Sequence, residues 1–420
     1  MKPLTAPAQL GSWATITLCA LVVVAEGYDL IVFGALIPSL LAEPGWNLTP
    51  ATVGTVGSFV YIGMLIGALA SGRLSDKFGR RKLILVSVAI FMVFTAGCAI
   101  VQNPWELAAM RLLAGIGMGG VMPSAVALAK ENAPAGKINL VITILMAGVP
   151  LGGTSASLLG LLIIPAYGWR PMFWIGVAVA LIILVVSWKL LPESDDYAKN
   201  KAAGTTSRFT DLFSSVFAKL TVLFGIAAFA NLLTWYGLNT WLTQLMRSMD
   251  YPLKSALQFS LTLNAGAVVG SFLIAFLADK YGTRPIALAS SLITAAAISC
   301  TALGAPSQFL LLAFIAIMGM GAHSALNLIN AAVADAYPSA LRATALGWSN
   351  GVGRVGAIVS PWLGGTILAS GAAPQVVFWT FVGSALCSAI AIAVLLAMKP
   401  AKSADWRKAP AGAAESAEGR

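Results

Sequence analysis

Charged residues are scarce in this chain, and long uncharged runs take their place. Only 10% of the residues are Asp, Glu, Lys or Arg, whereas 58% are hydrophobic. A typical soluble protein carries about 25% charged residues, and an aqueous fold cannot bury this much apolar sequence. The composition therefore excludes an ordinary soluble domain and predicts a protein that lies in the lipid bilayer.

Residues that carry metal and redox chemistry are also scarce. His323 is the single histidine, and all four cysteines fall inside apolar runs without metal-type or redox-type spacing. No nucleophile motif accompanies them, which disfavours an integral membrane enzyme. We therefore expect a protein that is not an enzyme, with no metal site and no cofactor. A membrane sensor is disfavoured too, because 420 residues leave no room for a soluble signalling domain.

Twelve apolar runs divide the sequence, and each is long enough to cross a bilayer as a helix. They form two sets of six, so we predict an all-α membrane protein built from two pseudo-symmetric six-helix bundles. The predicted divisions are a cytoplasmic N-terminus (1–13), a first bundle (14–191), a cytoplasmic linker (192–218), a second bundle (219–398) and a disordered cytoplasmic tail (399–420).

A basic stretch with one acidic residue recurs in both halves of the chain. Asp76, Lys77, Gly79 and Arg81 match Asp279, Lys280, Gly282 and Arg284 at one constant offset of 203 residues. Half-chain repeats of this kind are common in transporters. Positive loops stay in the cytoplasm, which explains the net charge of +10 better than nucleic-acid binding does. The repeated acid predicts a gate, formed by Gly72, Asp76, Gly79, Arg80, Arg81, Asp279, Gly282 and Arg284.

Two acidic residues lie within the first predicted span. Glu26 and Asp29 are three residues apart and share one helix face. An acid at the bilayer centre costs about 2.5–3.5 kcal/mol on the insertion scale, so the pair must face a polar cavity or meet buried cations. Proton coupling or cation binding is one interpretation. A pair of acids held by buried hydrogen bonds or by arginine is the other.

Two arginines lie within spans and keep their charge at that depth. Arg111, in the fourth span, is predicted to form an internal ion pair, which either couples to the first-span acids or is a fixed salt bridge. Arg354, in the eleventh span, is predicted to bind a substrate carboxylate through two parallel hydrogen bonds, with Asn350 one turn before it. A structural ion pair is the alternative for Arg354.

Polar and aromatic side chains mark two further spans of the second half. His323 and Asn327 lie one turn apart in the tenth span, so that helix is predicted to line water and to contact substrate or a proton. In the seventh span we predict substrate contacts from Trp235, Tyr236 and Asn239, where a flat aromatic molecule could stack and form hydrogen bonds. Plain packing with polar contacts remains the alternative for both spans.

Taken together, these motifs resemble the major facilitator superfamily over about residues 14–398. Residues 72–81 are similar to its signature loop between the second and third spans, and residues 279–284 to the second-half copy. The first span resembles the aromatic acid:proton symporters, whose usual Asp-Gly-aromatic-Asp pattern here begins with Glu26. Residues 123–125, 236–242 and 351–356 are also similar to that family.

The resemblance implies proton-coupled uptake of an aromatic carboxylate, such as benzoate or a hydroxybenzoate, by alternating access. Its expected partners are the aromatic acid, protons and the lipid bilayer, in a monomer of the bacterial inner membrane with both termini cytoplasmic. One alternative is a proton antiporter that exports an amphipathic, drug-like compound. Another is a symporter of a non-aromatic organic acid.

Overall fold

A computed structural model of the chain describes residues 11–193, 209–214 and 217–398. Within these ranges the regular structure is helical, and no strand occurs in them. The predictions for residues 1–10, for most of the linker (194–208 and 215–216) and for the tail at 399–420 lie outside the described residues.

Twelve helices of the described residues are long and apolar enough to cross a membrane. They confirm the predicted all-α architecture with twelve spans. The helices are α1 (Ser12–Leu41), α2 (Pro50–Phe78), α3 (Arg80–Ile100), α4 (Pro104–Glu131), α5 (Ile138–Tyr167), α6 (Arg170–Leu190), α7 (Ala218–Ser248), α8 (Leu253–Tyr281), α9 (Thr283–Leu303), α10 (Gln308–Ala336), α11 (Ser339–Ala369) and α12 (Pro374–Ala397). A short 3₁₀ helix at Phe209–Phe213 precedes α7.

Local capping residues explain where several helices begin. The Thr49 side chain accepts a hydrogen bond from the Thr52 backbone N–H at 3.2 Å, and Pro50 occupies the first turn of α2. The Asn103 side chain likewise accepts from the Glu106 backbone N–H at 2.9 Å. Such side chains satisfy N–H groups that have no partner inside the helix.

The repeated basic stretch is mostly helical, whereas the sequence predicted a loop there. α2 continues to Phe78 and α3 begins at Arg80, so Gly79 alone connects them. Gly282 connects α8 to α9 in the same way. Their φ angles of 90° and 92° lie in a region that side-chain-bearing residues disfavour. The expected loop at residues 72–82 is therefore wrong in extent, because the charges of residues 73–77 occupy the last turns of α2.

Each half of the chain packs in the same pattern. In the first half, α1 packs against α5, α2 against α4, and α3 against both α4 and α6. In the second half, α7 packs against α11, α8 against α10, and α9 against both α10 and α12. Shifting every helix number by six converts one pattern into the other, which is the structural counterpart of the sequence repeat.

The two bundles meet chiefly along three helix pairs, α1 with α7, α2 with α11 and α5 with α8. We call the helix ends near Ser12 and Phe78 the terminal face, and the ends near Leu41 and Pro50 the opposite face. Gly34 lies against the Asn239 backbone in the half of α1 nearer the opposite face. There the bundles are in close contact.

The half of α11 nearer the terminal face borders open space. A β-carbon added at Gly347 or Gly351 would meet no atom within 4 Å. Asn350 and Arg354 follow the same helix segment and are half-buried. This segment of α11 is therefore loosely packed, whereas the bundles are in close contact at Gly34 and Asn239.

α5 is continuous from Ile138 to Tyr167, although Pro150 lies inside it. The glycine-proline stretch at 148–153 permits a close crossing with α1. A β-carbon on Gly27 would collide with the Val149 backbone, and one on Gly152 would collide with the α1 backbone at Tyr28. Small residues at such crossings allow two helix backbones to approach.

Candidate functional site

A buried ion pair joins α1 to α4 inside the first bundle. Arg111 Nη1 donates to Asp29 Oδ2 at 3.0 Å and to the Asp29 backbone carbonyl at 2.9 Å. Thr95 Oγ1 of α3 donates to Asp29 Oδ1 at 2.9 Å. The guanidinium also lies 5.2 Å from the centre of the Phe33 ring. Both carboxylate oxygens of Asp29 therefore have donors, and three helices are tied together at this point.

Asp29 and Arg111 are only 2% and 1% exposed. Charges at this depth are tolerated when they are paired and hydrogen-bonded, whereas removing one partner leaves an uncompensated charge. The sequence left open whether Arg111 pairs with the first-span acids, and the geometry brings it to Asp29. Thr95 and Phe33 were not anticipated, since neither residue type is unusual in an apolar span.

Glu26 lies on the same face of α1 but has different neighbours. It is 1% exposed, and its Oε2 has no hydrogen-bond partner within the described residues. Arg354 of α11 lies near enough to interact with it electrostatically, and Tyr236 of α7 interacts with both. The two first-span acids are therefore divided: Asp29 faces its own bundle, and Glu26 faces the other bundle.

Aromatic rings continue this boundary between the bundles. Tyr61 of α2 and Tyr236 of α7 have ring centroids 4.7 Å apart. Tyr236 was predicted from the sequence, whereas Tyr61 was not, because a single tyrosine in an apolar run carries no distinguishing pattern. Tyr236 places flat apolar surface near the Glu26 and Arg354 charges, and Tyr61 packs against it.

The amides of α7 take part in a hydrogen-bonded network. Asn239 Nδ2 donates to the Trp235 carbonyl at 2.9 Å, and Asn239 Oδ1 accepts from Asn264 Nδ2 at 3.0 Å. Asn264 lies on α8 and was missed, although an amide in an apolar span is itself a signal. Its Oδ1 has no partner in the described part of the chain and lies where a Gly153 β-carbon would be. The network thus reaches the first bundle at α5.

His323 of α10 contacts both bundles. Its Nε2 lies 3.1 Å from the Met146 carbonyl oxygen of α5, and its ring centroid lies 4.9 Å from that of Trp235. Asn327 is half-buried one turn later, with an Oδ1 that lacks a partner among the described residues. His323 is therefore near the predicted aromatic residue Trp235, but its ring is occupied by a protein contact.

Arg354 and Asn350 lie on the loosely packed segment of α11 that contains Gly351. Asn350 Nδ2 donates to the Leu346 carbonyl at 2.9 Å, so the side-chain oxygen of Asn350 takes no part in that hydrogen bond. Arg354 is half-buried, and no salt bridge involves it within the described ranges. Its guanidinium charge is thus not neutralised by a salt bridge within the described residues.

The predicted gate residues form contacts at the terminal face. Arg80 forms an ion pair with Glu131 at the end of α4. The Arg81 side chain donates to the Trp188 carbonyl, and its backbone N–H donates to Glu193 at 3.1 Å. These bonds join α3 to the ends of α4 and α6, within the first bundle.

The second-half copy of the gate is less connected. Arg284 Nη1 donates to the Leu395 carbonyl at 3.2 Å, and Asp279 is exposed. Gly72 has no atom near its position for a β-carbon. The prediction for Asp76 concerns a side chain outside the described part of the structure. Among the described residues, the gate contacts that are seen stay within a single bundle.

Comparisons with known proteins agree with this architecture. The family model described as Major Facilitator Superfamily matches residues 19–270 and 255–418. The chain is 40% identical to the gentisate transporter of Corynebacterium glutamicum, over 90% of this chain and 86% of that protein. It is 33% identical to the benzoate transport protein of Acinetobacter baylyi, over 85% of this chain and 83% of that protein.

Solved structures show the same fold at low sequence identity. A nucleoside transporter matches with a TM-score of 0.75 at 18% identity, over 91% of this chain and 99% of that one. A D-xylose-proton symporter matches with a TM-score of 0.73 at 16% identity, over 93% and 98%. The chain therefore belongs to the Major Facilitator Superfamily, a family of transporters and not of enzymes, in the group that contains the gentisate and benzoate transporters.

Proposed function

We propose that this protein is a secondary active transporter that takes up an aromatic carboxylate together with a proton. The observation that carries the proposal is that Glu26 and Arg354, from different bundles, lie within electrostatic range of each other without forming a salt bridge. One is a buried acid with an unpartnered oxygen. The other is a half-buried arginine with no salt bridge in the described part of the chain.

The substrate anion would lie between the bundles with its carboxylate on Arg354. A guanidinium binds a carboxylate through two parallel hydrogen bonds. Tyr61 and Tyr236 would pack against the aromatic ring, and Asn350 would supply a nearby amide. Trp235, Asn239 and Asn327 would form the more distant wall of the same cavity. The gentisate and benzoate transporters among the relatives support an aromatic acid as the substrate.

Competition for Arg354 explains how the proton is coupled to the anion. While Glu26 is ionised, it neutralises the guanidinium and repels a second carboxylate. Once Glu26 takes up a proton, Arg354 is left without an anion and binds the substrate carboxylate instead. Anion binding and proton binding therefore favour each other, as linkage requires. Asp29 is less suited to exchange a proton, because Arg111 and Thr95 occupy both of its oxygens.

The terminal face would lie in the cytoplasm of a bacterium, with the chain in the inner membrane. The helix ends and short connections on that face are rich in basic residues, among them Arg80, Arg81, Lys82, Lys130 and Lys137. Close contact of the bundles near the opposite face, at Gly34 and Asn239, supports an inward-facing state for this arrangement. Rocking of the two bundles would then expose the same site to the outside. One chain supplies every residue of the proposed site, so we propose that the monomer is the functional unit.

Uptake into proteoliposomes tests this proposal. Labelled benzoate, gentisate and 4-hydroxybenzoate are offered with an inward proton gradient, and a protonophore is the control. We expect accumulation of at least one of these acids that collapses when the protonophore is added. If the gradient drives none of them inward, symport of an aromatic acid is refuted. Gradient-driven export of an amphipathic cation would instead support the antiporter, and accumulation of an aliphatic acid alone would support the non-aromatic symporter.

A further inference from the structure

Proline at position 150 leaves one backbone carbonyl of α5 without its usual helical partner. In an α-helix, the carbonyl of residue 146 accepts from the N–H of residue 150. Pro150 has no N–H, and its ring also pushes against the carbonyl four residues earlier. The Met146 carbonyl therefore needs another donor. Water has limited access to donate to this carbonyl, since the neighbouring Ala147 and Gly148 are buried.

His323 supplies that donor from the other bundle. Its Nε2 lies 3.1 Å from the Met146 oxygen. A carbonyl oxygen can only accept, so Nε2 carries the hydrogen in this contact. The imidazole is 4% exposed and packs beside Trp235 of α7. The hydrogen bond therefore joins α10 of the second bundle to α5 of the first, in a partly buried position where the imidazole itself is shielded from water.

α5 packs tightly against the helix that carries the acidic residues. Gly27 of α1 lies against the Val149 backbone, and Gly152 of α5 lies against the α1 backbone beside Tyr28. Neither contact leaves space for a side chain, so a displacement of one helix would carry the other with it. Glu26 directly precedes Gly27. A bond that holds α5 to α10 therefore also holds the proposed proton site relative to the second bundle.

We propose that Pro150 and His323 together form a latch that holds the two bundles in the present arrangement. Proline frees the Met146 carbonyl, and histidine captures it from across the boundary. Any rocking that displaces α5 relative to α10 breaks this bond. Breaking the bond leaves the Met146 carbonyl without a donor, because its own helix has no N–H at position 150. Opening of the opposite face therefore carries a free-energy cost that a helix without this proline would not impose. The latch does not depend on which substrate is carried.

A single-cysteine reporter can measure that opening without any substrate. Thr243 of α7 is 1% exposed and lies one turn beyond Asn239, whose backbone packs against Gly34 of α1. Thr243→Cys, in a chain whose four native cysteines are replaced, becomes accessible to a membrane-impermeant alkylating reagent only when α1 and α7 separate. Ser388→Cys is the matched control, because Ser388 is equally buried but bonds to Ala227 within the second bundle.

The latch predicts a specific pattern among three variants. His323→Leu removes the donor and should raise the alkylation rate at Thr243→Cys about threefold to tenfold, the range expected for one hydrogen bond. The rate at Ser388→Cys should stay constant. Pro150→Ala returns an N–H to the Met146 carbonyl, so His323→Leu in that background should change the rate by no more than about twofold. His323→Gln, which keeps a donor, should stay close to the parent rate.

Three results would overturn the latch. The rate at Thr243→Cys could be unchanged in His323→Leu, or His323→Leu could have the same effect with and without Pro150. An equal rise at Ser388→Cys would show general loosening of the protein instead of bundle separation. None of these readings involves aromatic acids or protons, so failure of the latch and failure of the proposed symport would be distinguishable.

Discussion

Replacement of Asp29 by asparagine tests the buried ion pair that ties the first bundle together. The change keeps the shape of the side chain and an oxygen that can accept from Thr95. It removes the charge that Arg111 meets at 3.0 Å. Arg111 is 1% exposed, and its Nε and Nη2 atoms already lack partners within the described residues. The arginine would therefore be left as a buried, uncompensated cation.

Breaking a buried pair from one side costs about 3–5 kcal/mol, because the remaining charge has lost its partner. We expect Asp29→Asn to lower the free energy of unfolding by that amount. Arg111→Met should be similarly destabilising, because it leaves the carboxylate unpaired. The double variant removes both charges and replaces the guanidinium by an apolar side chain. It should therefore recover most of the loss.

Unfolding of the purified protein in detergent, followed for the parent, both single variants and the double variant, measures the coupling. Asp335→Asn is the matched control, because it makes the same chemical change at an exposed residue and should alter stability by less than about 0.5 kcal/mol. Equal stability of Asp29→Asn and the parent would refute the ion pair as a stabilising contact. Additive losses in the double variant would refute the coupling between Asp29 and Arg111.

Four further changes test other contacts. Arg354→Lys should weaken binding of an aromatic carboxylate about tenfold in a competition assay, since lysine lacks the planar fork; equal affinity would indicate a structural role. Glu26→Gln should abolish gradient-driven accumulation, because it removes the proposed proton site; full accumulation would contradict that. Gly27→Val should destabilise the fold, because its side chain would enter the α5 backbone; parent-like unfolding would refute that crossing. Burial alone would raise the pKa of Glu43. Hydrogen bonds from Arg170 and Trp169 lower that pKa by a larger amount, so the net pKa is below the usual value. The Glu43–Arg170 pair should therefore stabilise the protein at neutral pH and lose that effect as acid protonates Glu43, with Glu43→Gln lacking this pH dependence.

The span pattern was predictable because the bilayer imposes it. A segment without charge and longer than about 20 residues has few alternatives to a membrane helix. What the uncharged runs could not reveal was how far helices continue beyond the lipid. α2 extends through Lys77 to Phe78, and a charged helical turn costs little once it is in water. Gly79 and Gly282 ended the helices because their positive φ reverses the chain in one residue.

The division between Glu26 and Asp29 was beyond sequence reasoning. Helical spacing put both acids on one face, and it predicted a shared environment for them. The structure separates their partners because α1 lies at the boundary: the neighbours of Asp29 belong to α3 and α4, whereas Arg354 belongs to α11. A difference of three residues along a helix is enough to change which bundle a side chain faces. Only the packing of distant helices decides this.

Polar contacts between distant residues were equally hidden. The bond between His323 and the Met146 carbonyl joins residues 177 positions apart. Proline in the fifth span was visible in the sequence, and so was the lone histidine in the tenth. Their relation was not, because it depends on how the two bundles are placed. The same holds for Asn264, which reaches Asn239 from the neighbouring helix.

Affinity for an aromatic acid, measured as a function of pH, tests most directly whether Glu26 and the substrate compete for Arg354. Equilibrium binding of the anion is measured for the parent and for Glu26→Gln, which resembles the protonated acid. The account predicts that parent affinity falls by about tenfold per pH unit on the alkaline side of the Glu26 titration, whereas Glu26→Gln binds tightly and evenly throughout. The same alkaline loss in both proteins, or a flat profile in the parent, would contradict it.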